Sequence, residues 1–156
     1  MNTLSTKRGD VFGGYNLTLY GSYLDIGTPS VTIDGQSCAI LATNNSEVTC
    51  NVSSRFQLPT KNTFIVKIGN SNAIVYQTFE YVLRWSDIRT WGTDMPPIDG
   101  DLVYVSPGMN LLVDESTPRL EGILVHNGTI AFADESDMTI SSGFISLVGG
   151  RFLAGT

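Results

Sequence analysis

Few side chains in this 156-residue chain could do chemistry. Cys38 and Cys50, twelve residues apart, are its only cysteines and fall in two neighbouring strand-like segments. An even count so placed suits a disulfide closing a short loop in an oxidising compartment; the rival reading is two buried free thiols in a cytosolic protein. The spacing fits no ordinary zinc pattern, and the single His126 adds little as a ligand. N-x-[ST] sequons at Asn16, Asn44, Asn51 and Asn127 offer four acceptors for N-linked glycans, more than chance would place among ten asparagines. Three of them fall at or near turns. Asn16 stands at a strand start and can carry a sugar only if it points to solvent.

The other candidates read as structural. Arg8-Gly9-Asp10 spells the tripeptide that integrins bind, but three residues are a weak signal and a structural turn is the expectation. Asp94, Asp99, Asp101, Asp134, Glu135 and Asp137 could offer oxygen ligands to calcium, yet none matches the spacing of a known binding loop. Paired carboxylates for glycoside hydrolysis need a cleft and a set separation, which short surface turns do not supply. His126 has no Ser or Cys nucleophile near it in sequence. We expect no catalytic residues, no metal and no cofactor.

Position is set by a repeat. The phrases LVYVSPGMNLLVD (102–114), ILVHNGTIAFAD (123–134) and ISLVGGRFLAGT (145–156) carry Gly108, Gly128 and Gly150, spaced 20 and then 22 residues apart. Val103, Ile123 and Ile145 keep phase five residues before each glycine, and Val105, Val125 and Leu147 three before. Strand, glycine turn and strand at this period describe a β-solenoid, whose coils must stack because no single coil buries its apolar face. Trp85 and Trp91 precede the repeat, and Met95-Pro96-Pro97 stops any helix there. The two tryptophans are expected as a lid on the first coil or at the domain junction.

Upstream the pattern changes. Tyr15 to Tyr20, Val31 to Ile33, Phe64 to Ile68 and Ala73 to Tyr81 alternate apolar and polar residues as strands do. Turn signals separate them at Gly13-Gly14, Gly27-Thr28-Pro29, Asp34-Gly35, Asn44-Asn45 and residues 69–72, the last as a hairpin turn. An antiparallel β-sandwich over 1–82 and a short solenoid over 83–156 follow, an all-β chain. With no Gly- or Pro-rich linker at 82–85, the two domains are expected to be closely joined.

Charge narrows the partners. Residues 1–82 balance to zero, so the net charge of −6 lies wholly in 83–156, and no basic stripe offsets it. A phosphate backbone would be repelled, which argues against nucleic acid. No stretch is long and apolar enough to span a bilayer, and the first ten residues lack the apolar core of a secretory leader. An exported form of this chain would be a mature product or an excised fragment.

GGYNLTLYGSYLD (13–25), SVTIDGQSCAIL (30–41), EVTCNV (47–52) and TFIVKIGNSNAIVYQTFEY (63–81) together resemble IPT/TIG domains, immunoglobulin-like modules of plexins and related cell-surface proteins. The resemblance covers about residues 3–82 and places both cysteines where extracellular members carry their bridge. The opening LSTKRGDVFGG departs from it, having no proline before its glycine. Trp91, Pro97, Gly100 to Val103, Pro107-Gly108, Leu120 to Val125, Asn127-Gly128 and Gly149-Gly150 resemble the start of the eight-glycine (G-eight) domain of fibrocystin and hyaluronidase-like proteins. That order of modules is fibrocystin-like and implies an extracellular glycoprotein.

Three functions are therefore expected, in this order. The first is a structural or adhesive unit that self-associates head to tail through the open solenoid end, into a filament. The second is a fragment of a cell-surface receptor or ligand-binding ectodomain, with an extracellular protein or glycan as its ligand. The third is a non-catalytic part of a hyaluronidase-like polysaccharide-processing protein.

Overall fold

The computed structural model describes residues 3–33, 35–55, 63–68, 71–92, 95–134 and 137–154, with 63–68 and 71–78 as backbone course only. Residues 69 and 70 of the expected hairpin turn and the acidic candidates Asp94 and Glu135 lie outside the described residues, whereas Ser71 and Asn72 already belong to the strand that pairs antiparallel after the turn. The chain divides into two units, Met1–Tyr81 and Val82–Thr156.

The first unit contains β1 (Thr3–Leu4), β2 (Arg8–Asp10), β3 (Asn16–Tyr20), β4 (Pro29–Ile33), β5 (Gln36–Thr43), β6 (Glu47–Asn51), β7 (Thr63–Ile68) and β8 (Ser71–Thr78). The division falls within β9 (Glu80–Arg84). Seven strands form an antiparallel ladder in the order β1-β3-β6-β5-β4-β7-β8. β5 serves two halves of it: Gln36 to Cys38 pair with β4, while Ala39 to Thr43 pair with β6. The register shifts between Ile40 and Ala42, leaving Leu41 exposed. Such a bulge bends the strand, which lets one ladder supply two faces to one core.

That core explains the alternation. Leu17 and Leu19 of β3 and Val48 and Cys50 of β6 pack with Val31, Ile33 and Cys38, around Leu24, Phe79 and Tyr81. The intervening β3 and β6 residues face outward, where Thr18 Oγ1 and Thr49 Oγ1 lie 2.9 Å apart.

Arg8-Gly9-Asp10 corrects the expectation of a turn: it is strand β2. Arg8 Nε donates to Glu80 Oε2 at 3.2 Å, and the Glu80 N–H donates to the Lys7 carbonyl. Asp10 Oδ1 accepts from the Phe12 N–H at 2.8 Å. Gly9 is buried, and a Cβ there would run into the Tyr15 and Phe79 rings. The glycine is required for packing rather than for chain reversal.

The second unit is a stack of coils. β10 (Leu102–Val105), β11 (Asn110–Val113) and β12 (Arg119–Leu120) form the first coil, and β13 (Gly122–His126), β14 (Thr129–Phe132) and β15 (Ser141–Ser142) form the second. β16 (Ile145–Val148) and β17 (Arg151–Leu153) belong to a third. Among the described residues the strand pairings between coils are parallel and make three ladders, β10-β13-β16, β11-β14-β17 and β12-β15, with one isolated antiparallel bridge between His126 and Gly149. The third side, β12 and β15, was not legible in the repeat.

Val103, Ile123 and Ile145 are aligned in register, as are Val105, Val125 and Leu147. In the first two coils these residues point into a core with Leu111, Val113, Leu120, Ile130 and Phe132. β9 starts the stack, its Leu83 and Arg84 pairing with Leu111 and Leu112. Trp85 and Trp91 pack on this core, edge to face with ring centroids 4.9 Å apart, and Trp91 Nε1 donates to the Trp85 carbonyl. They pack on the first coil, one of the two places expected for them.

Gly128 and Gly150 are aligned as their spacing implies, but Gly108 is not and lies level with Asn127 and Gly149 instead. Gly108, Asn127 and Gly149 take the left-handed conformation, with φ of 79, 51 and 65°. The Thr129 N–H donates to the Met109 carbonyl and the Arg151 N–H to the Gly128 carbonyl, so Met109 corresponds to Gly128. The first corner is one residue longer than the next, which shifts Gly108 out of phase. Gly128 is required for space instead, since a Cβ there would lie 2.6 Å from the Ser106 carbonyl oxygen.

Candidate functional site

Cys38 and Cys50 are joined as a disulfide, Cα to Cα 5.5 Å, both almost fully buried in the core of the first unit. They lie on adjacent strands, so the bond crosslinks β5 beside its bulge. A closed loop of this length contributes on the order of 3 kcal/mol through loss of unfolded-state freedom.

The four sequons occupy three kinds of site. Asn44 caps a turn: its Oδ1 accepts from the Ser46 N–H, the Glu47 N–H and Ser46 Oγ. Asn127 is exposed at the corner of the second coil in the left-handed conformation that asparagine tolerates. Asn16 and Asn51 are directly opposite one another across β3 and β6. Asn51 Nδ2 donates to Asn16 Oδ1 at 3.1 Å and to the Tyr15 carbonyl at 3.4 Å. Asn16 is exposed and Asn51 is half-buried.

Two of the acidic candidates serve the backbone. Asp99 Oδ1 accepts from the Arg119 N–H at 2.8 Å, and Asp101 Oδ2 from the Ile98 N–H at 2.9 Å. Both hold the corner before β10. Among the described residues no group of three His, Cys, Asp or Glu side chains could hold a metal ion. A shallow groove lies beside β12 and β15, lined by Asp99, Arg119, Glu121 and Ser141 among others. His126 stands exposed on the outer face of β13, its Nδ1 3.0 Å from Tyr104 Oη. Asp87 Oδ1 accepts from the Arg89 N–H at the start of a single 3-10 turn, Ile88–Trp91. The Arg89 side chain bonds to the same carboxylate and holds its pKa below the ordinary value, against a smaller opposing effect of burial.

The third coil presents what the first two enclose. Ile145 and Leu147 are 41 and 48% exposed at the positions where Ile123 and Val125 are buried. Phe152 and Leu153 are exposed opposite Ile130 and Ala131, which are buried. β16 and β17 are the outermost strands of their ladders. Among the described residues, exposed apolar side chains and outermost strands therefore coincide, the combination that another strand or another protein covers.

Comparison with known proteins bears on both units. The IPT/TIG domain model matches residues 1–82 and the G8 domain model residues 90–156. Fibrocystin-L of Homo sapiens is 29% identical over 98% of this chain, and fibrocystin-L of Mus musculus 29% over 96%. Fibrocystin of Mus musculus is 28% identical over 77%. The chain spans only about 4% of the length of either fibrocystin-L and 3% of that fibrocystin. The extracellular region of plexin A4 is similar over 53% of this chain and 8% of its own, at 26% identity and a TM-score of 0.44. The chain belongs to the IPT/TIG domain family through residues 1–82, carries a G8 domain at 90–156, and is distantly homologous to fibrocystin-L and fibrocystin.

Proposed function

We propose that this chain is a non-catalytic stretch of a fibrocystin-like, cell-surface ectodomain, in which the sandwich is a structural module and the solenoid a base for further coils. The observation that carries it is the exposure of Ile145 and Leu147 in register with buried residues. In this reading a further coil of the same polypeptide covers them. The buried disulfide supports an oxidising, extracellular setting, because such bonds persist there and are rare in the cytosol. The acidic surface of the second unit leaves an extracellular protein or glycan as ligand, rather than nucleic acid.

The test is hydrogen exchange on this chain and on one extended by its natural downstream sequence. Extension protects the amides of β16 and β17 to the level of β13 and β14. Unchanged exchange there would remove the reading.

The same surface favours a second reading, self-association head to tail. An outermost strand and an apolar face on one side of a repeat permit a heterologous contact that need not close, and so a filament. Light scattering after size-exclusion chromatography distinguishes the two. A mass that stays monomeric from micromolar to near-millimolar concentration excludes the filament.

A further inference from the structure

Two sequon asparagines that are cross-strand partners cannot be equivalent sugar acceptors. On that relationship, and on the extracellular setting proposed above, we propose that Asn16 and Asn51 form a mutually exclusive glycan pair in which Asn16 takes the sugar.

The reaction sets the terms. The Asn Nδ2 attacks the anomeric carbon of a lipid-diphosphate-linked oligosaccharide, supplied with its transferase by the secretory compartment. A carbon–nitrogen bond forms, the bond from that carbon to the diphosphate oxygen breaks, and the lipid diphosphate leaves. One Nδ2 proton is lost, so the amide keeps a single N–H.

Asn51 Nδ2 uses its hydrogens on two acceptors, Asn16 Oδ1 and the Tyr15 carbonyl. A sugar there forfeits one of these bonds and must leave from a half-buried residue. Asn16 takes part only as acceptor in that pair, through Oδ1. An amide carries its oxygen and nitrogen on opposite sides of Cγ, so Asn16 Nδ2 is turned away from Asn51. A sugar on Asn16 therefore leaves the Asn51 to Asn16 bond in place. Side chains directly opposite on one sheet face start about 5 Å apart, too close for two core glycans to leave side by side.

Chain order favours the same residue. Asn16 emerges first, whereas Asn51 follows Cys50, whose bond to Cys38 draws the second sequon into strand β6.

The experiment uses the chain secreted from cultured mammalian cells, with Ser46→Ala and Thr129→Ala removing the other two sequons. Intact mass before and after enzymatic glycan release counts sugars per chain, and release in heavy-oxygen water marks the sites. One glycan per chain is expected, with Asn16 at least tenfold more occupied than Asn51. In an added Asn16→Gln variant, Asn51 occupancy rises at least fivefold. Two glycans on one chain, a sugar chiefly on Asn51, none on either, or an Asn51 that stays bare in Asn16→Gln each overturn the proposal. Site mapping of the unsubstituted chain repeats the reading should a variant fail to be secreted. Native-source protein bare at all four sequons would count against the extracellular setting itself, whereas sugars at both Asn16 and Asn51 would remove only the exclusion.

Discussion

Ile123 and Ile145 are register partners in the β13–β16 ladder, yet the first is wholly buried and the second 41% exposed. The same side chain in the same strand position thus has two energetic roles. Ile123→Ala leaves a cavity and costs about 2–5 kcal/mol in chemical denaturation. Ile145→Ala costs less, about 1–2 kcal/mol in the isolated chain, because 41% of its surface is already in water. In the extended chain of the hydrogen-exchange test the Ile145 cost rises toward that of Ile123. Equal costs in the isolated chain would show that Ile145 is covered there.

Removal of the disulfide acts on the first unit. Cys38→Ala with Cys50→Ala lowers stability by about 2–5 kcal/mol, read as a lower denaturant midpoint. With both sulfurs buried, the folded chain resists mild reductant while the unfolded chain is reduced at once. Loss of the bond without prior unfolding, followed by thiol labelling under native conditions, would contradict this.

The corner glycines separate under substitution. Gly108 has open space around its missing Cβ and a φ of 79°, so Gly108→Asn is tolerated within about 1 kcal/mol, as Asn127 already shows in the next coil. Gly128→Asn costs more than about 2 kcal/mol because its Cβ would meet Val105 and the Ser106 carbonyl. Thermal melts of the two variants settle the order, and equal losses would refute the distinction.

Asp87 confers an acid dependence on the tryptophan lid. Its folded pKa lies below its ordinary 3.8, so the unfolded chain binds more protons in that window. The contribution is complete above the ordinary value and is lost as pH falls through the lowered one. Asp87→Asn keeps an acceptor for the Arg89 N–H but flattens this dependence, whereas Asp87→Ala also loses the cap, about 1 kcal/mol. Tryptophan fluorescence during acid titration reads the difference. Identical acid transitions in the Asn variant and the parent would argue against it.

The parts of the fold that were legible in sequence are those where burial on one side imposes a period. Leu17 and Leu19 betrayed β3, and Val103 and Ile123 betrayed the stacking of the coils, because each sits on an enclosed face, while Ile145 keeps their phase on the exposed coil. β12 and β15 carried no such mark: two residues each, with Ser141 and Ser142 half-exposed, leave no alternation to read. β2 was hidden for another reason, since a buried glycine between two charged residues looks like a turn until Tyr15 and Phe79 are seen filling its place. The sequons were legible as four separate motifs. That two of them face each other depends on the β3–β6 pairing, which no local pattern encodes.

The unequal spacing of the coils has a consequence for how such a chain can vary. Residues 106–109 round the first corner where 126–128 and 148–150 suffice later, and β12 follows β11 after fewer residues than β15 follows β14. Every gain or loss of length falls in a bend, while the ladders stay in step. An extra residue inside β13 would instead invert each following side chain from interior to water. Indels in such a module are therefore a map of its corners, and its straight runs are closed to them.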